Sequence, residues 1–281
     1  MKAPITVFVL TLNEEHYIRR CLEQLTSWAG EVLVVDSQST DRTREIAEAA
    51  GARVIVQPWL GWVGQHHCAM DAARFDWCFK VDADEIVGDE LAAAASAAIL
   101  RDPDPRTGFV VERIEEFCSV LMPNTRRQSK RDTFVRLMHR KFSRYDPTML
   151  IHEEIVCAGP RVRLPGTMLH WRDFDLTARF TQDNRNATLE AQMLARQGAR
   201  WSAVRLTVKP LLRFLWVYLW SGAWRAGSHG LVYSLSRAMA EFMRQAKLWE
   251  AQAVEHVRHP PRETYSRASV NIDPVELADG R

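Results

Sequence analysis

The 281-residue chain contains five cysteines, Cys21, Cys68, Cys78, Cys118 and Cys157, and no CxxC pair. An odd, scattered set of thiols excludes a disulfide framework and argues against a zinc site; it suits a reducing cytoplasm. Also missing are GxGxxG, GxxxxGK[ST], HExxH and GxSxG, which removes the dinucleotide-binding, P-loop, zinc-protease and α/β-hydrolase readings. Charge of one sign is not in excess: the formal net charge is +2, which speaks against a nucleic-acid binder. There are no internal repeats or low-complexity tracts. Long apolar runs are absent too. Residues 211–220 (LLRFLWVYLW) carry Arg213, and Gly222, Gly227 and Gly230 then interrupt the pattern, too short a run for a transmembrane helix. The early run Ile5–Leu12 has a single lysine before it and enters Asn13-Glu14-Glu15 without a small-residue cleavage site. It reads as a buried strand rather than a signal peptide.

What is present is a regular alternation up to about residue 110. Ile5 to Thr11 predicts a strand. Glu14 to Leu25, with Ile18, Cys21, Leu22 and Leu25 at helical spacing, predicts a helix. Strands follow at 31–36, 52–57 and 77–81, with helices at 42–50 and about 64–75. Near-continuous apolar strands alternating with helices mean a mostly parallel sheet covered on both faces. Such sheets bind ligands at the carboxyl ends of their strands. Three polar clusters fall there: 12–15 (LNEE), 36–41 (DSQSTD) and 82–85 (DADE).

The third cluster sits in 79–87, FKVDADEIV, where three carboxylates fall within four residues. Acids this close repel unless something positive lies among them. Asp82-x-Asp84 after a buried strand suits Mg²⁺ or Mn²⁺, which takes one or two carboxylates, water and phosphate oxygens. The bland alternative is a solvated acidic turn before the helix that starts near Asp89. Beyond residue 107 the expectation is strands at 108–114 and 161–169 and a second cleft wall. That wall includes an arginine-rich stretch (Arg126, Arg127, Arg131, Arg136, Arg140, Arg144) and the string 151–154 (IHEE). The arginines suit a diphosphate, an anionic acceptor or plain solvation.

From about 175 onward the pattern is helical. Residues 200–247 hold eight Lys/Arg and one acid, and Trp201, Trp216, Trp220, Trp224 and Trp249 lie there or just after. Leu235, Met239, Phe242, Ala246 and Trp249 form an amphipathic stripe. Basic residues with interfacial aromatics predict a surface that lies on an anionic membrane; an internal helix pair or an oligomer interface is the alternative.

The ordered set Ile5–Glu15, Val34–Thr43 and Val81–Glu85 resembles the family 2 glycosyltransferases with the GT-A fold, most strongly over residues 5–90. Weaker similarity runs through Trp59-x-Gly61, His152-Glu153 and 246–250 (AKLWE), and is similar to bacterial enzymes that add sugars to the lipopolysaccharide core, including β-1,4-glucosyltransferases. The resemblance implies a Rossmann-like GT-A domain over 1–195, with a nucleotide-sugar half at 1–110 and an acceptor half at 111–195. A basic, aromatic, membrane-associating helical region at 196–255 and a polar tail at 256–281 follow. It implies an inverting transfer of a hexose, glucose from UDP-glucose in the first instance, to a lipid-linked saccharide. The enzyme would be peripheral on the cytoplasmic face of the inner membrane and would use Mg²⁺ or Mn²⁺. Thr11, Asn13, Glu14, Asp36 and Ser39 would line the nucleoside pocket, Asp82 would lie near ribose and diphosphate, and Asp84 would be the principal metal ligand. His170 would complete the metal shell or serve structurally. Glu153 would be the base, with Glu154 as fallback.

Three departures from the family pattern stand out. Gln38 replaces a common glycine, His66-His67 replace the more usual Lys-Asn, and Lys80 replaces an apolar residue. His66 and His67 would contact diphosphate or be exposed helix residues. Rival readings are transfer to a polyprenyl phosphate or a capsule or exopolysaccharide intermediate, and a non-catalytic nucleotide-sugar sensor or scaffold on the membrane. A nucleotidyltransferase would carry a basic, glycine-rich loop where 11–15 is acidic.

Overall fold

The computed structural model describes residues 2–123, 135–145, 155–171 and 176–253. The first half alternates strand and helix: β1 (Ala3–Thr11), α1 (Ile18–Trp28), β2 (Ala29–Asp36), α2 (Thr43–Ala49), β3 (Arg53–Val56), α3 (Gly61–Ala72) and β4 (Trp77–Asp82). β5 (Glu85–Val87) and α4 (Asp89–Leu100) follow, then β6 (Gly108–Phe117), β7 (Val120–Leu121), β8 (Val135–His139), β9 (Ser143–Tyr145), β10 (Ile155–Cys157) and β11 (Arg161–His170). Three helices close the described chain: α5 (Leu176–Arg196), α6 (Ala203–Leu215) and α7 (Gly227–Ala253). A π-helical turn (Trp216–Trp220) and a 3₁₀ turn (Ala223–Ala226) join α6 to α7. The polar tail predicted at 256–281 lies outside the described residues.

The main sheet runs β3-β2-β1-β4-β8-β6-β11-β5, with β7 added on β6. Its first four strands are parallel, as the sequence predicts. The whole sheet is mixed, because β8 enters antiparallel between β4 and β6, and β5 pairs antiparallel with β11. Strand alternation explains why the early strands read as unbroken apolar runs. Val7, Val9, Val32 and Val34 pack under α1 and α4, while Phe8, Leu33 and Val35 pack on the opposite face under Ala69 and Met70 of α3.

The first helix begins at Ile18, a turn later than its apolar spacing suggests. Residues 13–15 are drawn into the loop instead. Asn13 takes a positive φ of 57°. The N–H groups of Asn13, Glu14 and Glu15 donate to Ser39 Oγ, Thr43 Oγ1 and Asp41 Oδ2 at 2.8, 2.8 and 3.1 Å. Side chains after β2 thus satisfy the donors of the loop after β1.

Candidate active site

The carboxyl ends of β1 and β2 are tied together by Asp36. Its carboxylate is fully buried and accepts from Thr11 Oγ1 (3.0 Å), Ser39 N (2.8 Å) and Ser39 Oγ (2.5 Å). Asn13 reaches across the same gap: Thr40 N donates to its Oδ1 at 2.8 Å. Thr11, Asn13, Glu14, Asp36 and Ser39 therefore form one hydrogen-bonded rim rather than separate groups. Gln38, which stands where glycine is common, adopts φ 66° in this rim, a left-handed conformation that is uncommon for a residue with a side chain.

At the end of β4 the acids meet their counter-charges. Lys80 Nζ lies 3.2 Å from Asp82 Oδ1, and Arg136 of β8 lies 3.3 Å from Asp82 Oδ2. Burial opposes the Asp82 charge, but Lys80 and Arg136 outweigh it and hold the carboxyl well below its usual range. Glu85, fully buried, accepts from Arg136 (2.6 Å), from Asp82 N (2.9 Å) and from Arg113 (3.4 Å). Arg113 also pairs with Glu115 at 2.6 Å, two residues further along β6.

β11 brings in the histidine. Its last residues pair with β5, His170 opposite Glu85, and Trp171 N donates to the Asp84 carbonyl at 2.8 Å. His170 Nε2 lies 3.2 Å from Asp84 Oδ2, and its Nδ1 lies 3.1 Å from Glu115 Oε2. Burial disfavours the imidazolium, but Glu115 and Asp84 more than offset it and raise its pKa to about 10. For Glu115, burial is overcome by Arg113 and His170, which hold it well below the ordinary value.

Among the described residues, no three His, Cys, Asp or Glu side chains are arranged around one ion. The Asp84 carboxylate and the His170 imidazole are of the donor types that bind a divalent cation, but His170 would have to release the proton that its contacts with Asp84 and Glu115 favour before it could ligate one. A carboxylate with an imidazole suits Mn²⁺, and Mg²⁺ less well.

His66 is neither exposed nor charged. It is fully buried; Nδ1 lies 2.7 Å from the Trp62 carbonyl, and the ring packs against Phe8 and Tyr145. Burial, with Lys80 nearby, pushes its pKa down to about 3. His67 is half-buried, and Tyr145 N donates to its Nε2 at 3.2 Å. The reading of these two as exposed helix residues is thus corrected for His66: α3 turns it inward onto the sheet.

The structure gathers Thr11, Asn13, Glu14, Asp36, Ser39, Asp82, Asp84 and His170 at one edge. Glu153 and Glu154 lie outside the described residues, as do Arg126, Arg127 and Arg131. The sequence reading gave no site role to Glu85, Arg113, Glu115 or Lys80. Their signal was present as strand parity: Arg113 and Glu115 are two apart on β6, as are Lys80 and Asp82 on β4.

A sheet with acids at the carboxyl ends of β1, β2 and β4, closed by a histidine from β11, defines an α/β domain with an acidic strand-end site. The model of glycosyl transferase family 2 matches residues 6–148. The lipopolysaccharide core biosynthesis glycosyltransferase LpsC of Rhizobium meliloti is 30% identical over 260 residues, 90% of this chain and 95% of that protein. A glycosyltransferase of Rickettsia typhi is 30% identical over 88% of this chain and 87% of its own. Among solved structures, glucosyl-3-phosphoglycerate synthase from Mycobacterium tuberculosis in complex with Mg²⁺ and UDP is similar at a TM-score of 0.45 and 19% identity, covering 71% of this chain and 81% of that one. The chain belongs to glycosyl transferase family 2.

Proposed function

We propose that this chain is an inverting, metal-dependent hexosyltransferase. It moves glucose from UDP-glucose to a lipid-linked saccharide of the lipopolysaccharide inner core, at the cytoplasmic face of the inner membrane. The observation that carries the proposal is the pairing of Asp84 with His170 at the strand-end edge, next to Asp82, whose N–H donates to Glu85, and beside the Asp36 rim. The relation to LpsC over most of both chains supports the choice of acceptor.

In this reading the rim formed by Thr11, Asn13, Glu14, Asp36 and Ser39 shapes the nucleoside pocket. Asp82, held by Lys80 and Arg136, faces ribose and diphosphate. Asp84 and His170 hold Mg²⁺ or Mn²⁺, which when bound neutralises charge on a departing diphosphate. Glu153 accepts the proton of the acceptor hydroxyl, and Glu154 is the alternative base.

The test is thermal unfolding with UDP, GDP, ADP and CMP, each with and without Mn²⁺, for the parent and Asp84→Ala. A ligand at a hundred times its dissociation constant adds about 2.7 kcal/mol of stability. The expected result is a UDP shift that needs Mn²⁺ and is lost in Asp84→Ala, with hexose transfer lost in the same variant. A metal-independent shift, or full transfer by Asp84→Ala, overturns the metal role. Binding without turnover of any sugar donor favours the sensor reading.

A further inference from the structure

The helical hairpin formed by α6 and α7 is inside out. A surface helix of a water-soluble fold turns its apolar stripe inward and its charges outward. Along α7 the buried positions are Gly230, Tyr233, Ser234, Ser236, Gln245 and Leu248, and Arg237, Glu241 and Arg244 are half-buried. Leu235, Met239 and Phe242 point the other way and are 48–52% exposed. In α6 not one residue is buried. Its leucines Leu211 and Leu212 are 58% and 57% exposed, and Leu219 and Trp220 in the following turn are 58% and 60% exposed.

The opposite side is the one that packs on the protein. Arg244 pairs with Glu190 of α5 at 3.2 Å and with Glu241. Tyr233 meets Phe117 at the end of β6 with ring centroids 5.3 Å apart, inside a small core with Met122, Val217 and Ala223. The packing is close: a Cβ on Gly230 would meet the Ala223 carbonyl oxygen at 1.7 Å. The hairpin is therefore fixed on the catalytic domain by a mixed side of ion pairs and a small aromatic core, and the apolar stripe of Leu235, Met239 and Phe242 is what remains outward.

Two observations choose the occupant of that side. Tryptophans stand at both ends of the hairpin. Trp201 and Trp249 mark one end, where Trp201 N donates to Gln252 at 2.9 Å. The stacked pair Trp216 and Trp220 marks the other. Leucine, valine, methionine and phenylalanine fill the middle, the distribution that suits a lipid boundary. Second, Arg205, Lys209 and Arg225 are exposed among the apolar residues of the outward face. Two copies meeting on this face would oppose like charges, whereas an anionic leaflet complements them.

No helix among the described residues is long and apolar enough to cross a membrane. We infer that the α6–α7 hairpin is an in-plane anchor, its outward face immersed at the headgroup–acyl boundary of an anionic leaflet rather than resting on headgroups through charge alone. The inference gives the lipid-linked acceptor reading its mode of attachment and rests on that reading for its biological setting.

The test is flotation of the full chain with phosphatidylglycerol/phosphatidylethanolamine vesicles, at low salt and at about 1 M NaCl, where the Debye length is about 3 Å. The expected result is binding that survives high salt, with a blue shift of tryptophan emission. The double variant Leu212→Glu/Leu219→Glu should bind about tenfold more weakly or worse, with an unchanged thermal midpoint and circular dichroism spectrum. Release at high salt overturns immersion. A dimer by light scattering with no flotation assigns the face to a second copy and also overturns it. The UDP–Mn²⁺ thermal shift is read on the same samples. Flotation lost with that shift intact removes the anchor and leaves the transferase; the reverse removes the transferase and leaves the anchor.

Discussion

The guanidinium of Arg136 lies 2.6 Å from a Glu85 oxygen, and both groups are buried. The same arginine reaches Asp82 at 3.3 Å. One cation from β8 thus holds both ends of the acidic turn. Removing it leaves buried Glu85 with only the longer contact to Arg113 and Asp82 with Lys80 alone; breaking a buried pair in this way costs up to about 3–5 kcal/mol. Arg136→Met is expected to lose about that much in urea unfolding. Arg136→Lys, which keeps the charge but not the two-pronged geometry, should recover part of it. A Met variant as stable as the parent would show that the pair does not hold the turn.

His66 gives stability a dependence on acid. Its folded pKa, about 3, lies below the ordinary 6.5. Below about 6.5 the unfolded chain takes up a proton that the folded chain refuses. Its contribution is full above that value and falls by up to about 1.4 kcal/mol per pH unit toward about pH 3. His66→Phe keeps a ring against Phe8 and Tyr145 but cannot titrate. Between pH 7 and 5 the parent's urea midpoint should fall relative to that of the variant. Parallel curves would mean that His66 does not stay neutral.

Asp36→Asn preserves size but replaces one acceptor oxygen with a donor. With the Asn oxygen toward Ser39 N, the NH₂ would face the Thr11 and Ser39 hydroxyls, which can accept from it only by losing the acceptor for their own protons, since both Asp36 oxygens are in use. A buried mismatch of this kind costs about 1–3 kcal/mol. The expected outcome is a lower Tm and weaker UDP binding, because the rims after β1 and β2 separate together. An unchanged Tm would show that the rim does not depend on Asp36.

The first half was legible because its strands are covered on both faces. Val34 and Val35 each meet a different core, so the strand is an unbroken apolar run. The rest was less so for physical reasons. Antiparallel insertion of β8 between β4 and β6 depends on contacts distant in sequence, which local periodicity does not encode. The sequence raised the question of what neutralises Asp82, Asp84 and Glu85; the answer came from β4, β6, β8 and β11, as Lys80, Arg113, Arg136 and His170. Periodicity revealed the stripe from Leu235 to Trp249, but a period does not say which way a stripe points. Likewise His66 read as a diphosphate contact or an exposed helix residue until α3 was placed against the sheet, which buries it.

On the proposed anchoring, the outward apolar face of α6 would change the dimensionality of the encounter. An enzyme held at a leaflet by Leu211, Leu212 and Leu219 meets its acceptor by lateral diffusion, so the effective acceptor concentration is set by confinement. Its velocity would then follow the mole fraction of acceptor in the surface. Adding inert lipid at constant total acceptor would slow the reaction, while diluting the whole suspension would hardly change turnover on each vesicle.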